Sequence, residues 1–399
     1  MFEPRRQSRV IILGYVLLAA IAAAAVVRIH GQYCLPIFSG AGADAWAGIE
    51  PYLVREGRPD FFKYAPLWSV LLIPLNLLGQ ILPQIVFQWA WCFLNFLCFF
   101  FGSFLYFRSL RDSGGSGPVS FVNRVHFLVL IALLLPLMVN NGLYGQINSL
   151  LWLLISVGIV GLRSARRAFS FLGGLCLSLA IWMKLFPVLF AVFLVFPGEK
   201  ISSSVRRWSW AGLAVGVTLG VVLPVVMWGD ATLSVFKAWS AVLSRDIHTP
   251  HLKIGLASLL PASLLGLLPL LQALYFGSVV FLCGLFDRRV KKGAALGTID
   301  RSQLECLLML GVLLLSHMTE PPTLALLAPV MIWVWMRGPK WATWVLLAPF
   351  LLLPSDLTPS WLKESLGGQY HIKTIGLLLL LTFLVAPSLY RTTKLTRSV

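Results

Sequence analysis

The sequence predicts an all-α polytopic membrane protein with about twelve transmembrane helices and juxtamembrane helices in its first outer loop. The 399 residues are 58% hydrophobic and only 12% charged, which is more apolar side chain than a soluble domain keeps away from water. The apolar residues also occur in blocks close to the ~20 residues that cross a bilayer as a helix. The clearest blocks are residues 10–27, 85–107, 125–138, 210–228, 264–286 and 375–390. We expect a single integral membrane domain over residues 1–399 and no soluble domain.

The charge pattern predicts the orientation of the chain. A net charge of +17 is compatible with nucleic-acid binding, but its distribution is typical of membrane topology, because short basic segments recur between the apolar blocks. The positive-inside rule assigns these segments to the cytoplasm, and most of the acids then fall outside. The basic segments are residues 5–9, 108–124, 163–167, 200–207, 288–301, 337–340 and 391–397. We therefore expect a multi-pass protein of the cell inner (plasma) membrane with both termini cytoplasmic and no nucleic-acid partner.

Two segments decide how many times the chain crosses the membrane. Both termini lie inside only if the number of crossings is even. Residues 66–82 are short and contain Pro74, which favours a membrane-dipping or juxtamembrane helix that does not cross. Residues 170–196 are flanked by basic segments on both sides, which predicts a hairpin of two short helices turning near Lys184-Leu-Phe-Pro187.

Nothing in the sequence indicates a cofactor. The six cysteines have no paired spacing of the metal or redox kind. The inner loops are too small for a nucleotide-binding domain, and no Walker-type or dinucleotide-binding glycine loop is present, which argues against ATP-driven transport. We expect no cofactor and no bound metal, although the sequence leaves a requirement for a divalent ion open.

Asp44 is the best indication of chemistry. It follows the first apolar block, in the first extracytoplasmic loop of residues 29–65. Carboxylates are expensive near hydrocarbon and usually line a water-filled or substrate-filled cavity when they occur there. The alternative is an incidental acid in a solvated loop, which is what we expect of Glu50, Glu56 and Asp60.

Polar residues at two further junctions are candidates for binding. Gln146 and Asn148 offer amides that hydrogen-bond sugar hydroxyls, with Gly142 and Gly145 permitting a close approach; alternatively the segment is a polar turn and helix cap. Lys184 either binds an anionic phosphate or extends to the interface as a topology anchor.

Two outer segments of the second half add charged candidates. Arg245, His251 and Lys253 form a cationic cluster with His248 that suits a phosphate better than zinc, since no further ligand has a fitting spacing. A solvated loop is the alternative. His317 and Glu320 are either an acid–base pair that faces a cavity or the end of a helix broken by prolines.

In order and spacing, these motifs resemble the polyprenol-phosphate-sugar-dependent glycosyltransferases of the GT-C superfamily, and more narrowly glycosyltransferase family 87, which includes alpha-mannosyltransferases. The similar segments are Asp44 with Tyr52-Leu53 and Gly57, Tyr64-Ala-Pro66 with Pro74, residues 145–148 and residues 173–187. They cover about the first half of the chain. Residues 248–253 and 316–322 depart from the family pattern. These departures affect which donor, acceptor and helper residues we expect, but they leave the argument for Asp44 intact.

The resemblance implies an inverting transfer of a hexose, expected to be mannose, from a polyprenyl-phosphate donor to a lipid-linked or cell-envelope glycan on the outer face. Asp44 fits the base that deprotonates the acceptor. The candidates for the donor phosphate are Lys184, Arg245, His251 and Lys253, and those for the sugar or acceptor are Tyr52, Tyr64, Gln146, Asn148, His317 and Glu320. The alternatives are a flippase or transporter of lipid-linked sugars and an envelope polysaccharide polymerase, both of which also bind polar groups between membrane helices.

Overall fold

The chain is all-α. The computed structural model describes residues 4–29, 32–53, 60–113, 121–198, 202–248, 254–292, 300–316, 319, 321–337, 345–346 and 373–385. These residues are 86% helical and contain no strand. Their one strand-like feature is an isolated antiparallel bridge between Ile254 and Thr319. The prediction that the chain is all-α is therefore confirmed.

Helices of very different length make up the described part of the chain. Short 3₁₀ segments join several of them, including Phe186–Ala191. The α-helices are α1 (Pro4–Ile29), α2 (Leu35–Trp46), α3 (Pro66–Leu71), α4 (Ile73–Ile81), α5 (Gln84–Ser113), α6 (Phe121–Leu143), α7 (Asn148–Arg163), α8 (Arg167–Met183), α9 (Val192–Val195), α10 (Ser203–Trp228), α11 (Thr232–His248), α12 (Leu268–Lys291), α13 (Arg301–Leu315), α14 (Ala328–Arg337) and α15 (Lys373–Val385).

Within the described residues, three helical stretches are long and apolar enough to cross a membrane. They are Gln84–Arg111, Ser203–Arg245 and Ser263–Lys291. Other apolar helices, such as α7 and α8, are shorter than 18 residues. The structure thus supports a membrane protein, and the figure of twelve crossings stays a prediction.

The two segments that decide the number of crossings each contain an interruption of the helix shortly before a proline. Residues 66–81 form two helices, α3 and α4, which meet at Leu72 with Pro74 in the first turn of α4. Helix α8 ends at Met183, and Lys184 is extended. The predicted break near Lys184 is therefore confirmed. Its second arm is mostly 3₁₀ helix rather than α-helix, and Pro187, which has no N–H to donate, lies in that 3₁₀ segment.

Helix α8 packs on α7 and α10 at backbone distance. A Cβ atom on Gly173 would lie 2.7 Å from the Cα of Gly161 in α7, and one on Gly174 would lie 1.9 Å from the carbonyl oxygen of Ser209 in α10. Small residues let membrane helices approach this closely, and close approach is a main source of their association. The three helices consequently hold a fixed relative position.

A buried ion cluster joins α7, α9 and α13 at the end of α7 that the charge pattern assigns to the cytoplasm. The Glu305 carboxylate accepts hydrogen bonds from Arg163 and from Nε of Arg301, the latter at 3.1 Å. The Arg301 guanidinium lies 4.8 Å from the ring centroid of Phe193 and donates to the carbonyl oxygen of Pro197 at 2.7 Å. Burying these charges is tolerable only because they satisfy one another. The cluster therefore fixes the C-terminus of α7 against the start of α13.

Asp44 lies in a helix, not in the irregular polar loop that its glycines suggested. Helix α2 begins at Leu35, with Pro36 in its first turn, and continues through the glycine- and alanine-rich segment to Trp46. Gly42 explains why: a Cβ there would lie 2.4 Å from the carbonyl oxygen of Leu72, so the glycine permits α2 to pack on the junction of α3 and α4. Tertiary packing here overrides the weak helix propensity of glycine.

We predict that Gly42→Ala lowers the thermal stability of the protein. The added methyl group meets backbone, which cannot move aside as a flexible side chain does, and overpacking of this kind costs about 1–3 kcal/mol. Thermal unfolding of the purified protein in detergent measures the change. Gly277→Ala in α12 is the matched control, because a Cβ there meets nothing within 4 Å. Equal melting temperatures for the two variants would contradict the close contact between α2 and the α3–α4 junction.

Candidate functional site

A hydrogen-bonded chain connects three of the predicted binding residues. The Tyr52 hydroxyl donates to the carbonyl oxygen of Tyr64 at 2.9 Å, and the Tyr64 hydroxyl donates to Oε1 of Gln146 at 3.4 Å. Nε2 of Gln146 then donates to Sγ of Cys34 at 3.1 Å. These bonds therefore bring Tyr52, Tyr64 and Cys34 of the first outer loop to the α6–α7 junction.

The two tyrosines are buried among aromatic rings. The Tyr64 ring packs against Phe62 and Phe38, with ring centroids 5.4 and 5.5 Å apart. Burial, with a smaller contribution from Glu50, raises the pKa of the Tyr52 phenol well above its ordinary value. Tyr52 consequently remains a neutral hydrogen-bond donor throughout the physiological pH range.

The break after α8 brings Lys184 to the start of α7. Nζ of Lys184 donates to Oδ1 of Asn148 at 2.9 Å. Asn148 is the first residue of α7 and is 1% exposed, whereas Lys184 is partly exposed. A predicted phosphate ligand and a predicted sugar ligand therefore lie in direct contact.

Three backbone contacts hold the first outer loop over the same ends of the helices. The backbone N–H of Ala65 donates to the carbonyl oxygen of Trp182, two residues before Lys184, at 3.3 Å. The indole of Trp228, at the end of α10, donates to Ile49, and the indole of Trp239 in α11 donates to Lys63, both at 3.2 Å. The described parts of the loop thus lie against the C-terminal ends of α8 and α10 and against α11.

Asp44 belongs to the same loop and lies shortly before Ile49, and its side chain is buried at 4% exposure. It is on the face of α2 that packs inward, and its carbonyl oxygen accepts a hydrogen bond from the backbone N–H of Ile49 at 2.8 Å. Burying a carboxylate is unfavourable unless polar groups compensate for the lost water. The burial shows that Asp44 does not face solvent, and its role as a site residue stays a prediction.

None of the contacts given above involves the remaining candidates. Arg245 is exposed near the end of α11, which continues as helix to His248 where the sequence suggested a loop. His251, Lys253, His317 and Glu320 lie outside the described residues. Their assignments stay predictions.

Sequence analysis missed the side chains that support the α6–α7 junction. Nδ2 of Asn141 donates to the carbonyl oxygen of Gln146 and to Oγ of Ser149, both at 3.0 Å, and the Trp91 indole donates to Gly145 at 2.9 Å. Cys34 is buried, and its Sγ accepts a hydrogen bond from Gln146. Asn141 lies in the same polar segment as Gln146, and that position could have indicated its role. No pattern in the sequence indicates Cys34 or Trp91.

The polar turn and helix cap expected of this segment are present at the C-terminus of α6. The backbone N–H groups of Gly145 and Gln146 donate to the carbonyl oxygens of Gly142 and Asn141, both at 3.0 Å, and Gly145 has a left-handed φ of +63°. A Cβ on Gly145 would lie 2.9 Å from Cβ of Gln32, so the turn also packs closely on the segment before α2. At the start of α7, by contrast, the N-cap is Ile147 and no side chain caps the helix. The role of Gln146 and Asn148 in binding a sugar stays a prediction.

Comparison with known proteins gives the family. No curated protein matches the chain. The model of glycosyltransferase family 87 matches residues 61–317, well over half of the chain, and the match includes α3 to α13 with Tyr64, Gln146, Asn148 and Lys184. The chain therefore belongs to glycosyltransferase family 87 and is a glycosyltransferase.

Proposed function

We propose that this protein is an inverting hexosyltransferase that moves a hexose, mannose in our proposal, from a polyprenyl-phosphate donor to a lipid-linked or cell-envelope glycan. It would act at the outer face of the cell's plasma membrane, with about twelve crossings and both termini in the cytoplasm. The observation that carries the proposal is the buried Asp44 carboxylate. It lies next to the segment of the first outer loop that contacts the ends of α8 and α10.

The chemistry requires few groups. Asp44 takes the proton of the acceptor hydroxyl while that oxygen attacks the anomeric carbon from the face opposite the phosphate. The bond from the anomeric carbon to the phosphate oxygen breaks, and its electron pair leaves with the polyprenyl phosphate. This leaving group departs as an anion, so it needs cations and hydrogen-bond donors more than a protonating acid.

The described residues suit these roles. Lys184 supplies a cation close to the start of α7, with Arg245, His251 and Lys253 as further proposed phosphate ligands. Tyr52, Tyr64 and Gln146 supply neutral polar groups and aromatic faces for sugar hydroxyls and ring C–H groups. His317 and Glu320 are proposed to contact the sugar or the acceptor.

Membership of a glycosyltransferase family favours the enzyme over a flippase or transporter. Both would bind a lipid-linked sugar between helices. Only the enzyme needs a base, and Asp44 is a buried acid in the segment that the family resemblance indicated.

We predict that Asp44→Asn abolishes transfer while the protein stays folded. The amide keeps the shape of the carboxylate but accepts no proton, so the turnover number should fall by about 10²- to 10⁴-fold. Purified protein in lipid, with radiolabelled polyprenyl-phosphate mannose and an envelope lipid extract, measures the label transferred. Asp60→Asn is the matched control: Asp60 is an acid of the same loop that is partly exposed and pairs with Lys63 at 3.2 Å. Equal transfer by wild type and Asp44→Asn would remove Asp44 from the role of base.

We also predict that transfer persists in an excess of EDTA. In the proposed mechanism, lysine, arginine and histidine side chains stabilise the departing phosphate, so no divalent ion takes part. Among the described residues, no three His, Cys, Asp or Glu side chains form a group that could hold a metal. The initial rate with and without the chelator tests this. A loss that returns on adding Mg²⁺ or Mn²⁺ would contradict it.

A further inference from the structure

One buried donor at the start of α7 has no partner among the described residues. Nδ2 of Asn148 makes no hydrogen bond, although the residue is 1% exposed. An amide N–H₂ that is buried without a partner loses its hydration and gains no hydrogen bond in return, which destabilises the fold. A buried donor of this kind requires an explanation, and an absent ligand is one.

Lys184 fixes the orientation of this amide. An ammonium group donates and never accepts, so the atom of Asn148 that faces Nζ at 2.9 Å must be the oxygen. Rotating the amide by half a turn would place two donors against each other. The unsatisfied Nδ2 is therefore the other atom on the same amide carbon, next to the oxygen that holds the lysine ammonium.

The start of α7 adds a third source of positive potential. A helix begins with backbone N–H groups that have no intrahelical partner, and its macrodipole places partial positive charge there. No side chain caps α7, which is 16 residues long. The uncapped N-terminus, the buried amide N–H₂ and the lysine ammonium all lie at the start of α7, an arrangement that favours an anion with several oxygens.

We infer that Asn148, Lys184 and the N-terminus of α7 form an oxyanion site that holds the phosphate group of a polyprenyl phosphate. This inference rests on the proposed function and deepens it. The sequence assigned Asn148 to the sugar or acceptor, whereas its position beside the lysine assigns it to the phosphate. Nδ2 of Asn148 and Nζ of Lys184 each donate to a phosphate oxygen, so the site stabilises the group that carries the negative charge when the sugar leaves.

Asn148→Asp tests the inference, because it should separate binding from folding. A carboxylate has the same shape, pairs with Lys184 and is favoured at a helix N-terminus, so the variant should unfold at a temperature equal to or above that of wild type. The carboxylate offers no donor and repels an anion. We expect its affinity for undecaprenyl phosphate to fall at least tenfold, as measured with the radiolabelled lipid and protein in nanodiscs. Lys184→Gln provides a second variant and should also lose affinity.

Ser149→Ala is the matched control. Ser149 is the next residue of the same helical turn, and its hydroxyl bonds to Asn141 and to Met138, away from the proposed anion. Its affinity for undecaprenyl phosphate should equal that of wild type. Undecaprenol, which lacks the phosphate, should bind all of these proteins equally weakly.

The outcomes distinguish the inference from the proposed function. If Asn148→Asp and Lys184→Gln bind undecaprenyl phosphate as wild type does while Asp44→Asn has lost transfer, the site is overturned and the function stands. If wild type neither transfers mannose nor binds undecaprenyl phosphate, both are overturned.

Inorganic phosphate tests which ligand the site holds. If it binds as tightly as the lipid and loses affinity in the same variants, the oxyanion site stands and its assignment to the donor lipid is overturned. A tenfold loss confined to the lipid phosphate and to these two variants supports the inference.

Discussion

The backbone-to-backbone contact of α8 with α7 and α10 is the constraint on which the rest of the structure depends. The backbones of α7 and α10 lie so close to Gly173 and Gly174 that neither position has space for a side chain. In a membrane, where apolar surface gains little by leaving lipid, such close packing supplies much of the energy that holds helices together. It also sets the position of the end of α8, and hence of Lys184, relative to the start of α7.

Helix α7 has a polar cluster at each end, and the two clusters differ in composition. At its C-terminus, Arg163 and Arg301 share the buried carboxylate of Glu305, so that donors and acceptor compensate each other. At its N-terminus, about 24 Å away for 16 residues of helix, Asn148 and Lys184 present donors. The first cluster pairs opposite charges and so fixes α7 against α13. The second combines a cation with an amide at the start of a helix, an arrangement that favours an anion.

Indole donors hold the described parts of the first outer loop in place. Trp228 and Trp239 donate to the carbonyl oxygens of Ile49 and Lys63, and Trp91 donates to Gly145 at the junction below. Tryptophan suits the membrane interface because it pairs an apolar ring with one polar N–H. These bonds keep the segment after Asp44 against the helix ends, as a glycosyltransferase needs if its base and its phosphate ligands act on one substrate.

The sequence by itself determined the all-α membrane class, the break at Lys184 and the family, because hydrophobic blocks, prolines and ordered motifs are local properties of the chain. It also singled out Asp44, Gln146 and Lys184 by their polar chemistry in an apolar context. Only the tertiary structure decided that Asp44 lies in a helix, that Gln146 bonds to Cys34 and that Lys184 bonds to Asn148. Those contacts join residues 36 to 112 positions apart. They follow from how closely the helices pack, which depends on all the side chains at an interface and not on a pattern in any one segment.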